Sequence, residues 1–125
     1  MMNLESPWEF DIKKNNGGVE VVFSDLMEFA QAAPVVGNLM INGQVMTGRY
    51  GGPVLIENGY LYAPICVKRF CGTVFKIVKI NCTTYESEYI GRLRHLIWLD
   101  RIEDGKIHFF DHINKSILNS YDVTN

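Results

Sequence analysis

Absences narrow the reading first. No stretch approaches the roughly 18 consecutive apolar residues of a membrane-spanning helix. The segment from Met1 to Phe10 carries Glu5 and Glu9 and lacks a basic start followed by an apolar run, so it does not read as a secretory signal. Cysteine is sparse. Cys66, Cys71 and Cys82 are an odd count, which fits a reducing compartment better than a disulfide framework. Together these features lead us to expect a cytoplasmic protein. A basic excess is also missing: 12 Lys and Arg stand against 14 Asp and Glu, for a formal net charge of −2. A general nucleic-acid binder needs the opposite balance to meet phosphates.

What is present suffices for one globular domain spanning residues 1–125. Hydrophobic residues make up 47% of the 125 and charged residues 21%, which is ordinary globular usage. A chain of this length buries roughly two-thirds of the surface its unfolded form exposes, so it needs neither metal nor disulfide to fold.

Short apolar runs punctuated by Asn-Gly and Asp-Gly pairs dominate the chain. Trp8 to Lys13 alternates apolar and charged residues and predicts a strand, Lys14 to Gly18 a turn, and Val19 to Phe23 a second strand. Asn42-Gly43, Asn58-Gly59 and Asp104-Gly105 each sit between apolar runs, the signature of type I′ hairpins. Pro64, inside the run from Tyr60 to Val67, predicts an edge strand or a bulge. Lys68 to Thr73 reads as a turn, and Val74 to Ile80 and Tyr85 to Ile90 as strands. Gly91 to Leu99 fits either period, and we favour strand. Lys106 to His112 is a strand, and Asn114 to Asn125 holds a last edge strand.

One helix is expected, from Ser24 to Ala33. Leu26, Phe29, Ala30 and Ala33 recur at helical spacing, Asp25 and Glu28 suit a capping box, and Pro34 ends the run. The expected fold is therefore mainly β (α+β), an antiparallel meander of hairpins with one short helix near residues 24–33. Ile56–Tyr62 and Ile102–His108 echo each other at close to the period of a four-stranded propeller blade. A blade-like arrangement and convergent turn chemistry both account for that echo.

Chemistry is harder to find. A structural zinc site takes four ligands, commonly as two close pairs. Cys66 and Cys71 have no second pair, and their spacing is not that of a redox CxxC. On a strand His108 and His112 stand about 13 Å apart, too far to share a metal. No GxSxG elbow surrounds Ser6, Ser24, Ser87, Ser116 or Ser120, and a thiol paired with a distant histidine has no local motif behind it. The glycines of Gly48 to Pro53 precede a strand, where a phosphate loop would precede a helix. We therefore expect no cofactor, no metal site and no catalytic residue.

Surface recognition remains. Asp100, Glu103, Asp104 and Asp111 form the acidic stretch that a basic partner would meet, since complementary charge speeds and orients association. Tyrosines and Trp98 that escape the core would suit an interface. In size, acidity, β-rich texture and lack of a catalytic signature the chain resembles the small bacterial toxin-immunity proteins. That resemblance implies a cytosolic, stoichiometric antidote to a co-encoded toxin, such as a basic nuclease domain. No motif carries it, so it assigns no residue a role. Two alternatives stand beside it: a small enzyme with a site assembled from separated strands, and an accessory subunit of a larger assembly.

Overall fold

The structure is a computed structural model that describes residues 5–28, 33–69, 72–115 and 117–123. The described residues form strands β1 (Lys13–Asn16), β2 (Val19–Glu28), β3 (Val35–Ile41), β4 (Gln44–Tyr50), β5 (Leu55–Glu57), β6 (Tyr60–Arg69), β7 (Gly72–Asn81), β8 (Ser87–Arg94), β9 (Trp98–Glu103), β10 (Lys106–Phe110) and β11 (Leu118–Asp122). All pairings are antiparallel. One sheet runs β1-β2-β3-β4-β6-β7-β8 with β5 added to β6, and a second runs β11-β10-β9.

The expected hairpins form for the reason their turns suggest. Asn42-Gly43, Asn58-Gly59 and Asp104-Gly105 all take positive φ at both residues, as a type I′ turn requires. Gly17-Gly18 does the same and shifts the first hairpin from its expected place: Lys14 to Asn16 lie in β1, and the two glycines alone make the turn. Trp8 to Ile12 precedes the strand.

The large sheet curls into a half-barrel. Its inner face is a core built from Val21 and Phe23 of β2, Leu39 and Ile41 of β3, Leu61 and Ala63 of β6, and Val78 and Ile80 of β7. Curling brings β1 beside β5, where side chains replace a ladder: Lys14 Nζ donates to Val54 O (3.3 Å) and Asn16 Nδ2 to Ile56 O (3.2 Å). The alternate residues of β6 and β7, including Tyr62, Phe75 and Ile77, face outward from this half-barrel. They meet Leu99, Ile107 and Phe109 of the small sheet in a second core. Strands β6 and β7 are thus buried on both faces, which explains their near-continuous apolar sequences.

Other expectations change as well. The helix from Ser24 to Ala33 is not formed where the structure describes it: Ser24 to Glu28 continue β2, and residues 29–32 lie outside the described residues. A bulge follows Ser24, Asp25 takes a φ of 51°, and the strand end is held from β3 and β4. There Asn38 Nδ2 donates to Asp25 Oδ2 (3.0 Å) and Arg49 to Asp25 O (2.9 Å). A three-turn helix is marginal on its own, so pairing with a neighbouring strand prevails.

Pro64 is neither at a sheet edge nor on a bulge. It pairs with Ile77 on one side, while on the other β4 has ended and Gly51 N–H donates to Pro64 O (2.8 Å). The missing proline N–H falls at that gap, where no ladder bond is due. The two echoing segments are hairpins of different sheets, β5–β6 and β9–β10, so shared turn chemistry accounts for them and no four-stranded blade is present among the described residues. Of the turn expected from Lys68 to Thr73, Lys68 and Arg69 belong to β6 and Gly72 and Thr73 to β7, and residues 70–71 lie outside the described residues.

Candidate protein-binding surface

The small sheet buries one face and turns the other outward. Register assigns the outer face in three rows across β9, β10 and β11. Trp98, Phe110 and Leu118 make the first row, Arg101, His108 and Ser120 the second, and Glu103, Lys106 and Asp122 the third. Paired residues share a face with Cβ atoms about 5 Å apart, so each row is a contiguous strip. The first row is apolar. It continues into the β10–β11 connection, where Ile113 is 71% and Ile117 60% exposed. The third row is charged, with Lys106 Nζ donating to Asp122 Oδ1 (2.7 Å).

A bulge makes this arrangement. Arg101 pairs with His108 and Leu99 with Phe109, which leaves Asp100 as the extra residue on β9. Beyond it the register slips by one. Leu99 then turns into the core opposite Phe109, and Trp98 turns outward beside Phe110. Trp8 packs edge-on against Trp98, with ring centroids 6.0 Å apart and planes at 81°.

The acidic residues singled out from the sequence do not gather in one patch. Asp100, Glu103 and Asp104 lie toward the β9–β10 turn, whereas Asp111 follows the far end of β10, about 23 Å from Asp104 along an extended strand. Asp100 accepts a hydrogen bond from Arg101 Nη1, and Arg101 Nε lies 3.6 Å from Glu103 Oε2. The hydrogen bond to Asp100 is the main cause that raises the Arg101 pKa; desolvation opposes it, and the Glu103 charge adds to it. Asp104 sits exposed on the turn.

Asp111 accepts from Arg94, a guanidinium only 11% exposed that also donates to the Tyr121 hydroxyl (2.8 Å) and lies 4.8 Å from the Phe109 ring centroid. Burial pushes the Tyr121 pKa up, but the hydrogen bonds and charges of Arg94 and Arg92 outweigh it, so the net shift is downward. This network ties β8 to the small sheet. Gly91 makes it possible: at its φ of 75°, an added Cβ would stand 2.3 Å from the Tyr121 ring.

Other polar groups lie apart. A cleft of about 280 Å³ opens between β1, β5 and β9, with Lys14, Asn16, Glu57 and Asp100 on its walls, and another of about 460 Å³ lies by the β1–β2 and β5–β6 turns. His95 and His112 are exposed, and His112 Nε2 stands 3.8 Å from Asp111 Oδ1. Cys66 is half-buried and Cys82 buried, which pushes the Cys82 thiol pKa up; Cys71 lies outside the described residues. Among the described residues, no three His, Cys, Asp or Glu side chains converge to hold a metal ion. Among the described residues, no helix is long and apolar enough to cross a membrane.

Sequence reasoning missed the aromatic row. Trp98 was visible as an aromatic, but only the bulge sets it beside Phe110. No family model matches the chain, and neither a curated protein nor a solved structure matches it.

Proposed function

We propose that this chain is a stoichiometric protein-binding module whose docking surface is the outer face of β9, β10 and β11. The observation that carries the reading is the apolar row on the outer face, where half-buried Trp98 and Phe110 lie beside exposed Leu118, extended by exposed Ile113 and Ile117 and followed toward the β9–β10 turn by polar and charged rows. Interfaces share that anatomy: aromatic and aliphatic anchors at the centre and a charged rim that excludes the wrong partner. Asp100, Glu103, Asp104 and Asp111 belong to the rim, where Arg101 and Arg94 already answer three of them. Lys106 answers Asp122 in the same way, so the surface suits a partner of mixed charge with a basic group opposite Asp104. Neutralising a co-encoded toxin in the bacterial cytoplasm is the most concrete form of this role, because covering a toxin's site needs no chemistry of the antidote's own.

Co-expression with the product of the adjacent reading frame, followed by purification and amide exchange, tests it. A one-to-one complex with slowed exchange in β9 to β11 is expected. Failure to form a complex, or slowed exchange confined to the half-barrel, refutes the reading.

A further inference from the structure

The connection between β10 and β11 folds one of the molecule's own cations onto the aromatic end of the outer face. Lys115 Nζ lies 4.3 Å from the Trp98 ring centroid and 5.7 Å from that of Phe110. The two rings are cross-strand partners, so they form adjoining walls of one corner. Trp8, edge-on to Trp98, braces the corner from the side. An ammonium over an indole face is attracted by the ring quadrupole, and tryptophan is the strongest such acceptor among the side chains.

The backbone gives an independent sign. Lys115 holds a φ of 54°, in the left-handed region that residues other than glycine, asparagine and aspartate seldom occupy. Its N–H donates to His112 O (3.1 Å) and closes the turn that aims the side chain back over the rings. A conformation held against local preference in an exposed connection belongs with functional segments. Ile113 and Ile117 on either side of it are exposed apolar residues that a docked surface would cover.

We propose that the Trp98–Phe110 corner is a receptor for one alkylammonium group, that a lysine side chain of the protein partner takes it, and that Lys115 is its internal place-holder, displaced on docking. This rests on the protein-binding reading of the same face and adds the chemistry of the partner's central contact. The molecule itself shows the fit, because the group already seated there is a primary ammonium on an aliphatic stem. Self-occupancy lowers the apparent affinity for an incoming ammonium by the fraction of time the corner is open. For a surface cation–π contact that is about three- to sixfold.

The test needs no partner. The chain has two tryptophans, so its ¹H–¹⁵N spectrum carries two indole resonances, and Trp98→Phe identifies that of Trp98. The protein is titrated with Nα-acetyl-lysine N-methylamide and with the uncharged norleucine analogue at matched ionic strength. The lysine compound is expected to shift the Trp98 resonance saturably, and about three- to sixfold more tightly in Lys115→Gln, an exposed substitution that leaves the fold in place. Equal response to the two compounds, no saturable response, or unchanged affinity in Lys115→Gln overturns the proposal. A successful titration alongside a failed co-purification would retain the corner and remove the protein-binding reading. A complex without a titration would do the reverse.

Discussion

At the scale of single residues, similar side chains carry different weight according to what they touch. Asp111 neutralises a nearly buried guanidinium, whereas Asp104 projects from a turn. Asp111→Asn should therefore cost about 1–3 kcal/mol in urea unfolding, by leaving the Arg94 charge poorly answered. Asp104→Asn, which keeps a residue that accepts positive φ, should stay within about 0.5 kcal/mol. Both carboxylates looked alike in the sequence, because the partner of Asp111 comes from β8 across the fold. Tyr62 supplies a pH dependence. Burial first, then the charges of Glu57, Tyr60 and Glu88, push its pKa from 10.0 to about 12. Its contribution is complete below the ordinary tyrosine value and is lost as pH rises toward the raised one. Thermal melts of the native chain should fall between pH 10 and 12 more steeply than those of Tyr62→Phe; parallel curves would contradict this assignment.

Elements show where sequence reasoning succeeds and where it stops. Hairpins whose turns carry Asn-Gly or Asp-Gly were legible because the requirement for positive φ is local. The small sheet's outer face was not. Counting back from the Asp104-Gly105 turn in an unbroken ladder sets Leu99 opposite Phe110 and Trp98 opposite Asp111. The bulge at Asp100 moves both by one residue, and a one-residue slip exchanges the faces. Nothing local marks Asp100 as the extra residue, so the aromatic row could not be placed without the fold. Where the structure describes it, the helix expectation gives way for a related reason: Ser24 to Glu28 are exposed residues of β2 and so show none of the alternation that marks a half-buried strand, while residues 29–32 lie outside the described residues. In β7, burial on both faces predicts that neighbouring-face truncations cost alike. Ile77→Ala empties the second core and Ile80→Ala the first, and each should destabilise by about 2–5 kcal/mol. A loss below 1 kcal/mol at either position in denaturant titrations would show that face to be loosely packed.

At the scale of the whole molecule, two cores share a pair of central strands, and the smaller sheet is held against the larger by Arg94, Asp111 and Tyr121. In the proposed reading, that division makes the half-barrel the scaffold and the outer face of β9 to β11 the surface offered to a partner. The most direct test of this claim is a calorimetric comparison of two single variants binding the proposed co-encoded partner. Trp98→Ala removes the centre of the proposed interface, while Val45→Ala trims an apolar residue on β4, outside that face, that is 58% exposed and so barer than the half-buried Trp98. The account predicts that Trp98→Ala weakens the complex by about 30-fold or more, the mark of an interface hot spot, and that Val45→Ala leaves affinity unchanged. Loss of affinity in Val45→Ala with full binding by Trp98→Ala would contradict it.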